Sequence, residues 1–133
     1  MSTILEAIGD YLQAQGQGTL GTNLFLGMMP ETPDACVCVY ESSGLAPMET
    51  MGAAAFAVEQ PGLQVIARGA RGDYPGARDK AVAVRALLAA VIETTISGIH
   101  VMRISADGSL LPMGEDQNGR PMVSTNFSYA VRP

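Results

Sequence analysis

The sequence predicts an α+β fold, with a mostly antiparallel (mixed) β-sheet and two helices packed on one of its faces. Residues 77–96 contain no Gly or Pro, which favours a long helix. Residues 123–132 alternate apolar and polar side chains, which indicates a strand with one buried face. The candidate elements follow the order helix, strands, helix, strands, which is typical of α+β domains. With 133 residues, we expect a single domain over residues 1–133.

The first part of the chain predicts a helix followed by two strands. Thr3 and Glu6 form a candidate capping box at the start of the helix. The apolar residues at helical spacing are Ile4, Leu5, Ile8, Tyr11 and Leu12. Strand candidates follow at residues 24–28 and 35–40, separated by a connector that holds two prolines.

The middle of the chain is predicted to contain a loop, an arm and a hairpin. Residues 41–47 have the composition of a loop, and the weak pattern that follows indicates a mobile arm at residues 47–57. Residues 56–59 are predicted to pair with residues 63–68 through a turn at Gln60-Pro61-Gly62.

The long helix is apolar almost all round, which predicts burial on two sides. The stripe expected to face the sheet consists of Ala77, Ala81, Val84, Leu87, Leu88, Val91 and Ile92. The other side carries small residues such as Ala86 and Ala89, which would allow close approach by the first helix or by a neighbouring subunit.

The last third predicts three strands joined by turns. Residues 99–105 form a strand candidate, and Asp107-Gly108 is a strong turn signal. The return strand at residues 110–113 contains Pro112, which confines it to a sheet edge or a strand end. A polar loop at residues 114–121 then precedes the alternating final strand.

Composition limits the classes of function. Hydrophobic residues make up 47% of the chain and charged residues 16%, so little charge is left to solvate the surface and an oligomer is expected. The net charge of -5 argues against a surface built to grip nucleic acid. The N-terminal residues lack the pattern of a signal peptide, and no apolar run reaches the length of about 18 residues that a membrane span needs. We therefore expect synthesis in the cytoplasm and no membrane partner.

The sequence offers no constellation of catalytic residues. Cys36 and Cys38 alternate along a strand candidate, which predicts two buried thiols on one face rather than a disulfide. A metal site would need further ligands, and His100 is the only histidine. Residues 16–21 spell G-x-G-x-x-G, but they follow a helix and precede a strand, the reverse of a dinucleotide-binding turn. We predict no enzyme activity, no catalytic residue, no cofactor and no metal site.

Several turns and strand edges share a pattern with one known family. They are Asn23-Leu24-Phe25-Leu26-Gly27 with Pro30, residues 40–47, residues 59–69, Pro112-Met113-Gly114 with Asp116, Gly119-Arg120-Pro121, and residues 124–127. These stretches are spread from residue 23 to residue 127, and they resemble the bacteriophage minor capsid family now grouped with tail terminator proteins; the resemblance extends over nearly the whole chain.

The resemblance implies a structural virion protein of a long-tailed phage. Such a protein forms a ring, usually a hexamer, that terminates the tail tube and presents the docking surface for the head. The implied partners are the major tail tube protein and a head completion or neck protein, at the tail-neck junction. Genome DNA would pass through the lumen without specific binding, since acidic side chains there would repel its phosphates. The alternatives are another neck component, such as a head completion or stopper protein, and a small ligand-binding module or enzyme.

Contacts with other subunits or partners are expected in two loops and the arm. The loops are residues 69–76 and 114–121. The candidate interaction residues are Arg68, Arg71, Asp73, Tyr74, Glu115, Asp116 and Arg120.

Overall fold

The computed structural model describes residues 3–50 and 53–132, with the backbone alone for residues 43–50 and 53–60. This part of the chain forms two helices and seven strands. The helices are α1 (Ile4–Ala14) and α2 (Tyr74–Ala89). The strands are β1 (Leu24–Leu26), β2 (Cys36–Thr50), β3 (Ala53–Arg68), β4 (Ile92–Ile96), β5 (Ile99–Ala106), β6 (Leu111–Glu115) and β7 (Pro121–Val131).

The strands form one sheet in the order β1-β2-β3-β7-β5-β4, with β6 also paired to β7. The pair β1 and β2 is parallel, and the other pairs are antiparallel, as predicted. One edge of β7 pairs with β3. The other edge is shared, with β5 along residues 127–131 and β6 along residues 121–124. The last strand of the chain is therefore central in the sheet.

The core lies between one face of the sheet and both helices, which confirms the predicted α+β architecture. The register places Val65 opposite Val39 on one side and opposite Thr125 on the other, so these side chains share a face. Helix residues in the same core cluster are Ala7, Ile8 and Leu12 from α1, and Ala77, Ala81, Val84 and Leu88 from α2. The cap of α1 also follows the prediction, because the backbone N–H of Glu6 donates to the Thr3 hydroxyl at 3.2 Å.

The predicted long helix is wrong at both ends. Helix α2 begins at Tyr74 and ends at Ala89, and the last five residues assigned to it form β4 instead. Helix formers such as Ala and Leu give way there to Ile92-Glu93-Thr94-Thr95-Ile96, and the β-branched side chains favour a strand that pairs with β5.

The predicted loop at residues 41–47 and the turn at Gln60-Pro61-Gly62 are both wrong. Strand β2 continues to Thr50 and β3 passes through all three turn residues, so the two strands form one long hairpin. Pro61 lies between the pairs Ser42↔Gly62 and Leu45↔Gln60, where the register shifts, and an irregular position tolerates its missing N–H. The predicted arm lies in this hairpin; residues 51 and 52 fall outside the described residues, and mobility of the arm stays a prediction.

Two predictions about burial are also corrected. Strand β7 is buried on both faces, because it is central in a curled sheet: Ser124 and Ser128 are as buried as Val123 and Phe127. The first helix does not cover the second side of α2, since Val82, Ala86 and Ala89 are exposed in the single chain, and burial of that side by a neighbouring subunit stays a prediction. Neither described helix has the length and apolar content needed to cross a membrane.

Candidate interaction surfaces

Three connecting segments meet at one end of the sheet, and we call them together the loop end: residues 27–35, 69–73 and 116–120. They link β1 to β2, β3 to α2, and β6 to β7. Because β2, β3 and β7 are antiparallel neighbours, the start of β2, the end of β3 and the start of β7 lie side by side. The strand register thus brings together loops that are far apart in sequence.

The second and third segments of the loop end are joined by direct hydrogen bonds. The backbone N–H of Gly72 donates to the carbonyl oxygen of Gly119 at 3.0 Å. The Nε–H of Arg71 donates to the carbonyl oxygen of Asn118 at 2.8 Å. These bonds hold the entry to α2 against the turn that precedes β7.

Arg68 fixes the connector between β1 and β2 from inside the molecule. Its side chain leaves the end of β3 and is 6% exposed. Its Nε–H donates to the carbonyl oxygen of Asp34 at 2.8 Å, and its Nη2 donates to those of Pro30 and Pro33 at 2.8 and 2.7 Å. The guanidinium therefore replaces the missing regular hydrogen bonding of a proline-containing connector.

Arg120 links the third segment of the loop end to the first. It is 3% exposed, and its Nε–H donates to Asp116 Oδ2 at 2.8 Å. Its Nη2 donates to Glu31 Oε1 at 2.9 Å, and its Nη1 donates to Asp34 Oδ1 at 3.3 Å. The Glu31 and Asp34 side chains are largely exposed, so the loop end carries an acidic rim around a buried cation.

The charged states of this cluster reinforce each other. Desolvation acts to raise the pKa of Asp116, but hydrogen bonds from the backbone N–H groups of Arg120 and Asn118, together with the guanidinium, lower it overall. Desolvation acts to lower the pKa of Arg120, but Asp116 and Glu31 raise it overall. Asp116 and Arg120 thus each favour the ionised form of the other.

Five of the seven predicted interaction residues are engaged within the chain, including Arg71, whose Nε–H donates to Asn118. Besides Arg68, Arg120 and Asp116, Asp73 caps α2, where its Oδ1 accepts the N–H of Gly76 at 3.0 Å. Arg71, Tyr74 and Glu115 are exposed at or beside the loop end. Contact of any of the seven with another subunit stays a prediction.

A second surface, absent from the predicted site, is a groove along the exposed side of α2. We call it the outer groove; it has a volume of about 510 Å³ and is lined by Arg78, Val82, Arg85, Ala86, Ser109 and Leu110. Arg85 Nη2 donates to the carbonyl oxygen of Gly108 at 3.0 Å. Its Nε is shielded from solvent and has no hydrogen-bond partner among the described residues. The sequence feature that could have predicted this groove is a pair of arginines, Arg78 and Arg85, two helical turns apart on either side of Val82.

Sheet edges add further exposed apolar side chains. Ile92 on the edge strand β4 is 68% exposed. Leu111 and Met113 on β6 are 54% and 43% exposed, and among the described strands β6 pairs with β7 alone. Pro112 lies in this edge strand, as predicted. Exposed apolar edges of this kind invite association with another chain.

The cysteines are buried free thiols, as predicted. Desolvation raises the pKa of both Cys36 and Cys38, which keeps them as weakly nucleophilic thiols. No group of three or more His, Cys, Asp or Glu side chains that could hold a metal ion occurs within the described residues.

The fold is similar to that of solved structures. One is a chain described as part of the virion of a native gene transfer agent particle, with a TM-score of 0.68, 14% identity, and coverage of 99% of this chain and 100% of that chain. A second solved structure has a TM-score of 0.60 and 18% identity, and covers 98% of this chain and 91% of its own. At these identities the likeness concerns the fold. No curated protein sequence matches the chain significantly.

The family profile of the bacteriophage tail terminator protein matches residues 11–132, nearly the whole chain. The chain belongs to this family, as the resemblance of its turns and strand edges indicated. It is a structural protein of the phage tail and of the virion.

Proposed function

We propose that the chain forms a hexameric ring that terminates the tail tube and presents the docking surface for the head, without catalysis or a cofactor. The observation that carries this proposal is a set of exposed apolar side chains in separate places: Val82 in the outer groove on α2, Ile92 on the edge strand β4, and Leu111 and Met113 on β6. A structural tail protein that leaves such surfaces uncovered in the single chain has contacts available for its own copies.

The placement of these surfaces favours a ring over a two-fold dimer. A two-fold contact uses the same patch on both subunits, whereas head-to-tail contacts join two different patches and generate closed rings. The outer groove lies on one face of the sheet, on the exposed side of α2, while β4 is an edge strand. Two unlike surfaces with exposed apolar side chains therefore support head-to-tail association.

The loop end is the surface that we assign to docking. Arg68 and Arg120 hold its segments together, it exposes the acidic side chains of Glu31 and Asp34, and Tyr74 is exposed beside it at the start of α2. A rigid surface with one exposed aromatic ring and several charges suits a specific contact with a larger partner. We assign to it either the major tail tube protein or the head completion or neck protein.

The net negative charge of the chain supports the proposal that DNA passes through the ring without binding to it. The net charge is -5, and carboxylates that line a lumen would repel DNA phosphates. We therefore propose that acidic side chains face the lumen of the ring. A reconstructed ring with a basic lumen would contradict this part of the proposal.

Mass measurement and imaging of the purified full-length chain test the function. We expect native mass spectrometry to show six copies, negative-stain images to show rings, and added tail tubes to be capped at one end. A stable monomer that does not bind tubes would contradict the proposal. Rings that bind a head connector but no tube would instead favour the alternative of another neck component.

A further inference from the structure

The outer groove carries two cations that the described part of the chain does not neutralise. Arg78 is exposed, Arg85 is half-buried, and both line the groove on either side of Val82. Neither forms an ion pair with a carboxylate of a described residue, and Asp79 does not line the groove. Arg85 Nη2 donates to the carbonyl oxygen of Gly108, but the shielded Nε–H has no acceptor within the described residues. Shielded donors without a partner are rare, and a carboxylate from another chain would satisfy this one.

Helix α1 carries two carboxylates in the same state, and we call them the acidic pair: Glu6 and Asp10. Both are exposed, and at four residues apart they lie on one side of the helix. No described cation lies within ion-pair distance of either, and their side chains accept from the neutral hydroxyl groups of Thr3 and Ser97. Like charges at this spacing repel each other, so cations from another chain would stabilise the pair.

The acidic pair and the outer groove lie on different parts of the molecule. Helix α1 packs against β1, β2 and β4, whereas α2 packs against β3, β5 and β7. Ser97 Oγ donates to Asp10 Oδ2 at 3.0 Å, which places Asp10 beside the turn that follows the edge strand β4. The two surfaces are therefore unlike, as a head-to-tail contact between copies requires.

The two surfaces match in size as well as in charge. The groove runs along residues 78–86 of α2, and its two arginines are about 10 Å apart along the helix axis. The acidic pair spans about 6 Å along α1 by the same rise per residue. Two carboxylates at the shorter spacing fit between two guanidinium groups on long, flexible side chains. Between the arginines the groove is lined by Val82 and Ala86, whose short side chains allow another helix to approach closely.

We propose that the acidic pair of one copy lies in the outer groove of the next copy, with Glu6 and Asp10 between Arg78 and Arg85. Each copy then offers one acidic pair and one groove, and repetition of this head-to-tail contact closes a ring. A carboxylate in the groove also accepts from the shielded Nε–H of Arg85. This inference rests on the proposed ring and names the contact between its neighbouring copies.

Charge reversal followed by mixing tests the contact in the full chain. We expect E6R/D10R and R78E/R85E each to remain folded by circular dichroism but to be monomeric in native mass spectrometry, because like charges then face each other. Mixed in equal amounts, the two variants should form rings with three copies of each, since each supplies the charge that the other has lost. Glu41→Arg is the control, because it reverses an exposed carboxylate of β2 outside both surfaces and should leave the rings intact.

A second variant of the groove separates the contact from the hydrogen bond between Arg85 and Gly108. If R78E/R85E does not fold, R78E takes its place, because Arg78 is exposed and forms no ion pair with a described residue. R78E alone should give fewer rings than the wild type, and addition of E6R/D10R should raise their number again.

The outcomes separate this contact from the ring itself. If the wild-type chain forms no ring, the proposed function fails and the contact fails with it. If wild-type rings form and either folded variant forms them equally well, the ring stands and this contact is wrong. Two folded monomeric variants that form no ring when mixed also overturn the contact, because the reversed surfaces then do not meet. Rings of R78E/R85E that no longer cap tail tubes would assign the groove to the tube protein instead.

Discussion

Arg68 and Arg120 hold the loop end, Arg78 and Arg85 line the outer groove, and the two pairs are used in opposite ways. Arg68 and Arg120 are buried, and their donors are taken by carbonyl and carboxylate oxygens of the same chain. Arg78 is exposed, and Arg85 is half-buried with one donor unpaired among the described residues. Residue type alone does not distinguish a cation that folds the chain from one that is available to a partner.

The difference has a physical cause in the backbone nearby. A guanidinium can be buried only where enough acceptors surround it, because an unpaired buried charge is very costly. At the loop end, a connector with prolines leaves carbonyl oxygens without regular partners, and Arg68 takes them. Along α2, the helix satisfies its own carbonyl oxygens, so its arginines find few acceptors within the chain.

The largest effect is expected from removal of a loop-end arginine. Arg68→Ala should lower the free energy of unfolding by about 2–4 kcal/mol, because three carbonyl oxygens of the connector lose a charged donor. Urea unfolding followed by circular dichroism measures this. The matched change Arg78→Ala in the outer groove should alter stability by less than about 0.5 kcal/mol. If Arg68→Ala and Arg78→Ala lowered the free energy of unfolding equally, the difference between the loop end and the outer groove would be contradicted.

A smaller loss is expected from crowding at the loop end. A Cβ added at Gly69 would lie 2.5 Å from the backbone oxygen of Asp73 and 3.2 Å from the Cβ of Ala77. Gly69→Ala should therefore cost about 1–3 kcal/mol in the same unfolding assay, because the start of α2 must shift. Ala86→Ser on the exposed side of α2 is the control, with a cost below about 0.7 kcal/mol. If the free energy of unfolding of Gly69→Ala equalled that of the wild type, the junction between β3 and α2 would be shown to adjust without cost.

The pH dependence of stability offers a further test of the loop end. The folded pKa of Asp116 is lowered, so its ionised form stabilises the fold above the unfolded pKa of about 3.9 and this contribution is lost as pH falls through the folded value. Asp116→Asn should thus be less stable than wild type at pH 7, and the difference should shrink below about pH 4. Unfolding curves from pH 7 to pH 2 measure this. A constant difference across that range would assign the effect to packing.

The smallest effect on stability is expected on the outer groove, together with a large effect on assembly. Ala86 is exposed, so Ala86→Glu should change the free energy of unfolding by less than about 0.5 kcal/mol. In the proposed ring it places a long charged side chain where a small one allows close approach, so rings should be lost in native mass spectrometry. Intact rings of the Ala86→Glu variant would show that this side of α2 faces solvent in the assembled ring.

The regular elements with strong local signals could be predicted from the sequence. Helix α1 with its Thr3 cap, the start of β2 and the strand β5 follow from short-range patterns of apolar residues and turns. The long hairpin could not be predicted, because its strands hold together by pairing between residues up to 32 positions apart, such as Cys36 with Arg68. The end of α2 was misplaced because a local preference for strand becomes decisive only when β5 is there to pair with β4.

By itself, the sequence determined the fold class, the family resemblance and the burial of the two thiols, because each depends on the spacing of residues along the chain. Only the tertiary structure decided the roles of the charged residues. Arg68 and Arg120 were predicted as interaction residues, yet strand register brings acceptors to both. Glu31 and Asp34 join that cluster from across the sheet, and Arg78 and Arg85 remain beside an uncovered helix face. A buried charged side chain needs a partner that is close in space. The separation of the two residues in the sequence does not show whether the fold brings them together.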